Sequence, residues 1–547
     1  MTKYIHGLRL DNLRGDIYGG LTAAVVALPL AMAFGVASGA GPIAGLYGAI
    51  FVGLFAALFG GTPAQISGPT GPMTVVMAGI FVKYTAYDPV HGVAMAFTVV
   101  MMGGIMQILF GVFKIGRYIN LVPHPVISGF MSGIGVIIIL IQIGPLIGHP
   151  SAGNPLGAAM ALPGMLGDIN HTALALGVLT LGIVYLLPAN INRIIPAPLL
   201  ALFVGTIVLV MFMPEGVVSQ LGNIPTSFPR LQLPVFDIKM MADMFKSALI
   251  LALLGSIDSL LTSLVADSVT RTHHDSDREL IGQGIGNTVA GLFGGLPGAG
   301  ATMRTVVNIR TGGQTPISGV LHALTLLAVI LGAGSLAQHI PHVVLAGILI
   351  KVGTDIIDWD FLRRARYAPK ISVGLMFVVL FLTVFVDLIT SVAVGMIVAS
   401  FLFLNRMAQY QLKSIKIFTD PDDETPLGEE EQEILKSARG RILVYHLSGP
   451  LSFGAAKDMA KRLGVFDGYD ALILDFADVP MIDTTTGVSI EDMINDALSS
   501  GKHVFLSGAD ENVRNVLDTL GVFRKLKDIH IHATRLEALR EAAKRLG

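Results

Sequence analysis

From Ile17 to about Met407 the chain alternates apolar stretches long enough to cross a bilayer with short polar breaks. That alternation constrains the fold more than any other feature. A helix needs about 20 mostly apolar residues to span a hydrocarbon core, where each backbone N–H and C=O must be satisfied within the segment. The first such run, Ile17 to Val36, follows the polar, basic stretch Met1 to Arg14, and no cleavage pattern of small residues follows a short apolar core. It therefore reads as a membrane helix and not as a removable signal. Counting onward predicts an all-α polytopic membrane domain of about fourteen transmembrane segments, two of them interrupted by Gly and Pro. Composition agrees, with 52% hydrophobic and 14% charged residues, against about 25% charged in soluble domains. The net charge of −2 leaves no basic excess for nucleic acid. The absence of cysteine removes disulfides, thiolate metal centres and a cysteine nucleophile. No GxxxxGK[ST] motif offers direct ATP drive, and the chain is read as no enzyme and as needing no organic cofactor.

Charge placement sets orientation. With the N-terminus inside, the breaks holding Lys114 and Arg117, Arg193, Arg271 and Arg278, Arg363 to Lys370, and Arg406 all fall on the cytoplasmic side. The break His149 to Thr172 falls outside and carries no Lys or Arg. An even number of spans with both termini cytoplasmic follows. At Lys413 the texture changes to mixed charge, which divides the chain into a transmembrane domain at 1–410, an acidic linker at 411–436 and a soluble domain at 437–547. Strands at Arg441 to Leu447, Ala471 to Phe476 and His503 to Ser507 alternate with helices at Gly454 to Leu463, after Asp483, and at Glu511 to Leu520, so the soluble part is a small α/β domain.

An internal repeat is visible. Ala57 to Pro63 reads ALFGGTP and Gly291 to Pro297 reads GLFGGLP, 234 positions later. That offset is about seven spans, and an odd number turns the second copy upside down, which predicts a 7+7 inverted repeat. Each copy leads into an interrupted segment, Gly61 to Ile80 and Gly294 to Ile309. Such segments begin with residues that hold no helix and turn helical near mid-membrane, presenting unpaired N–H groups and a positive dipole end to an anion. Gly300 and Ala301 allow close backbone approach, and Thr70 and Thr302 add hydroxyls. Small residues also serve ordinary helix contacts in membranes; the matched occurrence in both copies favours a binding role.

Two charges lie inside the bilayer. Asp258 sits mid-span at a cost of roughly 2.5–3.5 kcal/mol on insertion scales, with Thr262 one turn on along the same face. A carboxylate, a hydroxyl and backbone carbonyls form a hard-oxygen set suited to Na+. Arg304, four residues past Gly300 and so on the same face of the second half-helix, either helps hold the anion or pairs with Asp258. His273, His274 and Asp275 carry metal-ligand residue types but read as a solvated loop, and Gly282 to Gly286 lies in an apolar span where no dinucleotide site is expected. In the soluble domain Asp483 to Gly487 opens a helix, with Asp483 and the threonines as natural caps.

These residues are familiar as a set. The stretch Gly15 to Gly35, SGPTGPM (Ser67 to Met73), GGLPGAGATMRTVVNIRTGG (Gly294 to Gly313) and the soluble domain together resemble the sulfate permease (SulP) family over nearly the whole chain. LLTSLVADSVTRT (Leu260 to Thr272), ELIGQGIGN (Glu279 to Asn287) and VGTDIIDW (Val352 to Trp359) resemble its sodium-dependent bicarbonate-transporting branch. The resemblance implies core and gate domains, an elevator movement, a cytoplasmic STAS domain, a homodimer and a bacterial inner-membrane location. It implies an anion site at Thr70, Ala301 and Thr302, a Na+ site at Asp258, Thr262, Gly300 and Thr302, and a phosphorylatable position at Thr485 through which a cytoplasmic regulator acts. Arg304 departs from that branch, which carries a small residue there, and matches sulfate and chloride members. Two readings follow: Na+-coupled bicarbonate uptake, or a proton-coupled or exchanging carrier of sulfate or dicarboxylate.

Overall fold

Each long apolar run closes into a helix whose ends are set by proline, glycine or a capping side chain. The computed structural model describes residues 6–119, 122–151, 154–192, 195–214, 216–221, 229–386, 388–421, 427–525 and 529–546. Helix α1 (Leu13–Ala37) ends before Gly41, whose φ of 88° turns the chain into α2 (Pro42–Phe59), where Pro42 occupies the first turn. There follow α3 (Gly71–Tyr87), α4 (Gly92–Val112), α5 (His124–Leu146), α6 (His171–Leu186), α7 (Ala197–Phe212), α8 (Met241–Thr270), α9 (Ser276–Leu292), α10 (Thr302–Arg310), α11 (Pro316–Ala337), α12 (His342–Ile356), α13 (Lys370–Phe385) and α14 (Leu388–Ser414), with a further helix at Pro155–Met165 and short helical turns between some of the others. Among the described residues six helices are long and apolar enough to cross a membrane, and four shorter apolar helices accompany them. Asn170 caps α6 by accepting from the amides of Thr172 and Ala173, and Asp275 caps α9 through Arg278 N–H.

The chain forms two compact units, Met1–Met396 and Ile397–Gly547. In the first, α9 packs on α2 and α4 at glycine contacts. A Cβ on Gly104 would stand 2.4 Å from Thr288 N, and one on Gly282 would stand 2.3 Å from Gly60 N. Backbones meet that closely only where side chains are absent. Helices α1, α2, α4, α8, α9 and α11 pack as one group, while α5 gathers α12 and α13, with α6 on α12 and α7 on α6.

Between α2 and α3 the chain runs non-helical, and the same happens between α9 and α10. Each break contains a two-residue strand, β1 (Ser67–Gly68) and β2 (Ala299–Gly300), and the two pair antiparallel with Ser67 opposite Gly300 and Gly68 opposite Ala299. A Cβ on Gly298 would lie 2.4 Å from the Gly68 carbonyl carbon, so glycine is required for this approach. The pairing corrects one expectation. Gly300 is a strand residue and α10 begins at Thr302, so Arg304 is the third residue of that helix, not one turn beyond Gly300 on a shared helical face.

In the second unit a five-stranded sheet has the order β3 (Lys416–Phe418), β4 (Ile442–Ser448), β5 (Ala471–Asp478), β6 (His503–Ser507), β7 (Ile529–His532), with β3 antiparallel and the rest parallel. Alternation along β4 splits its residues between two cores. Leu443, Tyr445 and Leu447 face Met459 of α16 (Phe453–Leu463), Ile490 and Met493 of α17 (Thr484–Ser499), and Val513 and Leu517 of α18 (Glu511–Thr519). Ile442 and Val444 face Leu435 of α15 (Glu429–Ala438) and Leu539 of α19 (Arg535–Leu546). The stretch expected as a bare linker, 411–436, thus supplies β3 and most of α15; its residues 422–426 lie outside the described residues.

Candidate functional site

Both helices that follow the breaks begin without a side-chain cap. Thr70 is the N-cap residue of α3, with extended backbone dihedrals, yet its hydroxyl does not cap. It donates instead to Asp258 Oδ2 of α8 at 2.8 Å. Ala301, the N-cap residue of α10, has no group with which to cap. A Thr at this position ordinarily satisfies a first-turn amide. Here the amides of Gly71 and Met73, and those of Thr302, Met303 and Arg304, have no partner among the described residues. Two positive helix ends therefore meet at the β1–β2 ladder with donors to spare.

Around them α8 lays a row of oxygens. Thr262 Oγ1 donates to the Gly300 carbonyl at 2.9 Å and lies 2.8 Å from Thr302 Oγ1. Asp258 Oδ1 accepts no hydrogen bond among the described residues, whereas Oδ2 is held by Thr70. Asp258 is 7% and Thr262 0% exposed, while Thr302 and Met303 are exposed, so the site is closed on the α8 side and open at the start of α10. The structure thus brings Thr70, Asp258, Thr262, Gly300 and Thr302 together. Ala301 is adjacent, but its N–H is occupied by the Ile66 carbonyl at 2.9 Å. Arg304 is buried and its Nη2 donates to the Pro69 carbonyl at 2.6 Å. No ion pair within 4.0 Å joins it to Asp258 among the described residues.

Several residues that hold the site escaped the sequence reading. Ser259 accepts from Gly300 N–H at 3.1 Å, which orients the β2 carbonyl toward Thr262. Glu279, 1% exposed, accepts from the amides of Gly61 and Thr62 through Oε2, and from Gln65 and Gln283 through Oε1. It ties the start of α9 to the break before α3. It follows Asp275 and Asp277 at the edge of the apolar run Leu280 to Leu292, so nothing in the sequence set it apart from a solvated acid. Thr485 is exposed at the start of α17, behind the N-cap Asp483, whose carboxylate accepts from Thr486 N–H at 2.8 Å. His274, expected in a solvated loop, is half-buried, and its Nδ1 lies 2.7 Å from Asp267 Oδ2.

A helical membrane unit with two broken segments joined end to end, followed by an α/β unit, is the architecture of a known class of membrane protein. The sequence profile of the sulfate permease family matches residues 13–379, and that of the STAS domain matches residues 433–538. The bicarbonate transporter BicA of Synechocystis sp. is 47% identical over 548 residues, covering 100% of this chain and 97% of that one. The putative sulfate transporter YvdB of Bacillus subtilis is 32% identical, covering 96% and 97%. Among solved structures, the transmembrane domain of a cyanobacterial BicA superposes with a TM-score of 0.68 at 50% identity, over 71% of this chain and all of that one. Murine Slc26a9, an anion transporter solved in the inward-facing state, shares the fold at a TM-score of 0.82 and 19% identity, over 98% and 92%. The chain belongs to the sulfate permease family and carries a C-terminal STAS domain.

Proposed function

We propose that this protein is a secondary active transporter of a small inorganic anion, taking up bicarbonate with Na+ as co-substrate. One observation carries the reading: two uncapped helix N-termini converge beside a buried carboxylate that keeps an oxygen unbonded. The free amides of α3 and α10, with the hydroxyls of Thr70 and Thr302, suit an anion. Asp258 Oδ1, the hydroxyls of Thr262 and Thr302 and the Gly300 carbonyl suit Na+, a hard cation that takes oxygen ligands. With Asp258 ionised and alone, its field opposes an anion a few ångströms away. Na+ beside it removes that repulsion, so each ion raises the affinity of the other by the same factor, typically 5–150-fold. The fourteen-span, seven-plus-seven architecture belongs to this proposal, with the α1–α4 and α8–α11 group as an elevator core and the α5, α6, α7, α12 and α13 group as its gate. So do a homodimer in a bacterial inner membrane, cytoplasmic termini, and phosphorylation at Thr485, where a phosphate would sit on the N-terminus of α17.

The test is uptake of labelled bicarbonate into proteoliposomes, with and without an inward Na+ gradient, for wild type and Asp258→Asn. Loss of the sodium response in a folded variant is expected; an unchanged response rejects the coupling. Arg304 favours a second reading, proton-coupled or exchanging transport of sulfate or dicarboxylate, because among the described residues its buried guanidinium makes no ion pair within 4.0 Å and so keeps charge to attract an anion. Labelled sulfate in the same vesicles separates the two.

A further inference from the structure

Among the described residues of the membrane unit, Arg304 and His322 are two of the buried side chains that carry unpartnered polar atoms. Among the described residues Nη1 of Arg304 has no hydrogen-bond partner, and neither does either ring nitrogen of His322 on α11. Arg304 is 2% exposed and His322 0%. Leaving a buried donor or acceptor unsatisfied costs about 1–3 kcal/mol each, and more when the group is charged. Both groups lie against one face of α2. A Cβ on Gly68 would stand 2.9 Å from Arg304 Nη1 and 3.1 Å from the α carbon of Ala49. A Cβ on Gly53, one turn beyond Ala49, would stand 3.2 Å from both His322 Nδ1 and the Ser67 carbonyl oxygen. A guanidinium N–H, an imidazole nitrogen and a carbonyl oxygen therefore border the same small-residue stretch behind the β1–β2 ladder. Two to four polar partners of that kind are what an internal water requires.

We infer that Arg304, His322 and Ser67 hold an ordered water behind the ladder, and that through it His322 positions Arg304. The water accepts from Nη1, donates to the Ser67 carbonyl and bonds the imidazole. With Nη2 on the Pro69 carbonyl, the guanidinium is then fixed at two points and held off Asp258. This rests on the sodium reading above, because it explains how a buried cation and a free carboxylate oxygen coexist in one site. Without His322, one anchor is gone and the desolvated charge turns to the nearest carboxylate. Arg304 then competes with Na+ for Asp258.

The experiment is the sodium half-saturation of bicarbonate uptake by the full-length protein in proteoliposomes. His322→Leu should raise it about tenfold, the scale of a buried charge pair. His322→Gln, which keeps a donor and an acceptor, should stay near wild type. Adding Arg304→Gln to His322→Leu removes the competing cation and should restore the sodium response, an outcome that a merely structural role for His322 does not give. A half-saturation unmoved in His322→Leu overturns the inference while leaving Asp258→Asn to decide the sodium reading by itself. A cryo-EM map of His322→Leu supplies a readout independent of the driving ion. The guanidinium turned onto Asp258 supports the inference; the guanidinium still on Pro69, or wild-type density in which Arg304 and His322 touch with nothing between them, overturns it.

Discussion

Gly300 shows how little room the site leaves. A methyl group there would meet Gln65 Nε2 at 2.4 Å and Thr262 Cβ at 3.0 Å. Gly300→Ala should therefore displace Thr262 from the β2 carbonyl and raise the sodium half-saturation, with a stability loss of about 1–3 kcal/mol from overpacking; flux and thermal unfolding measured on one preparation check both. Glu279→Gln places an amide NH2 against donors from Gln65 or Gln283. Stability should fall by about 1–3 kcal/mol per opposed donor, read as a lower midpoint of unfolding. Asp258 and Thr262 were legible in the sequence because a carboxylate inside an apolar run announces itself, and the residue one turn on must share its face. The partners were not. Thr70 lies 188 positions from Asp258, Gln65 lies 214 from Glu279, and no local pattern encodes contacts of that reach. Arg304 was visible as a charge, but its choice of Pro69 over Asp258 depends on where the first break delivers a carbonyl.

At the level of elements, the two breaks were readable because Gly and Pro stop helices, and their mutual pairing was not. β1 and β2 are two residues long, too short for an alternation to register, and each gains a partner only when the other break folds against it. Gly298→Val should abolish transport by prising the ladder apart, since even a Cβ there reaches 2.4 Å from Gly68; hydrogen exchange at residues 66–68 and 299–301 would report the opening. Strand β3 and helix α15 were hidden by composition. Three consecutive glutamates, Glu429 to Glu431, looked like solvated linker, but at a helix N-terminus they are favoured by the dipole, and Glu431 also accepts from Gly428 N–H at 2.8 Å.

For the molecule as a whole, the proposed Na+ site and one buried carboxylate each lead to a stability prediction. If Na+ binds the native site alone, thermal stability should rise with Na+ and not with K+, by about 2.7 kcal/mol at a hundredfold excess over the dissociation constant. Asp258→Asn should lose that shift in a differential scan. In the second unit Asp475 of β5 is buried between His446 Nδ1 at 2.8 Å, Arg535 Nη1 at 3.2 Å and Ser507 Oγ at 2.9 Å. Burial pushes its carboxyl up, but the His446 hydrogen bond, the Arg535 charge and the Ser507 hydroxyl together outweigh it and hold the carboxyl below the ordinary carboxylate range. A depressed folded value means that the unfolded chain binds the proton more readily. The stabilisation is complete above about pH 4, the unfolded value, and is lost as pH falls through the folded one. Asp475→Asn should remove this acid dependence and cost about 1–3 kcal/mol, because His446 loses its carboxylate partner while Arg535 keeps both Glu431 oxygens, read as earlier hydrogen exchange in β4–β6.

The ladder between β1 and β2 also bears on what kind of motion the protein can use. Each rung joins a segment from the front of the chain to one some 230 residues later, and Glu279 fastens the same two stretches from behind. Neither broken segment can swing alone without breaking the backbone pairing of the ladder. On the transport reading proposed above, cargo seated there would not pass from one half to the other like a baton but ride with both halves as a single carriage.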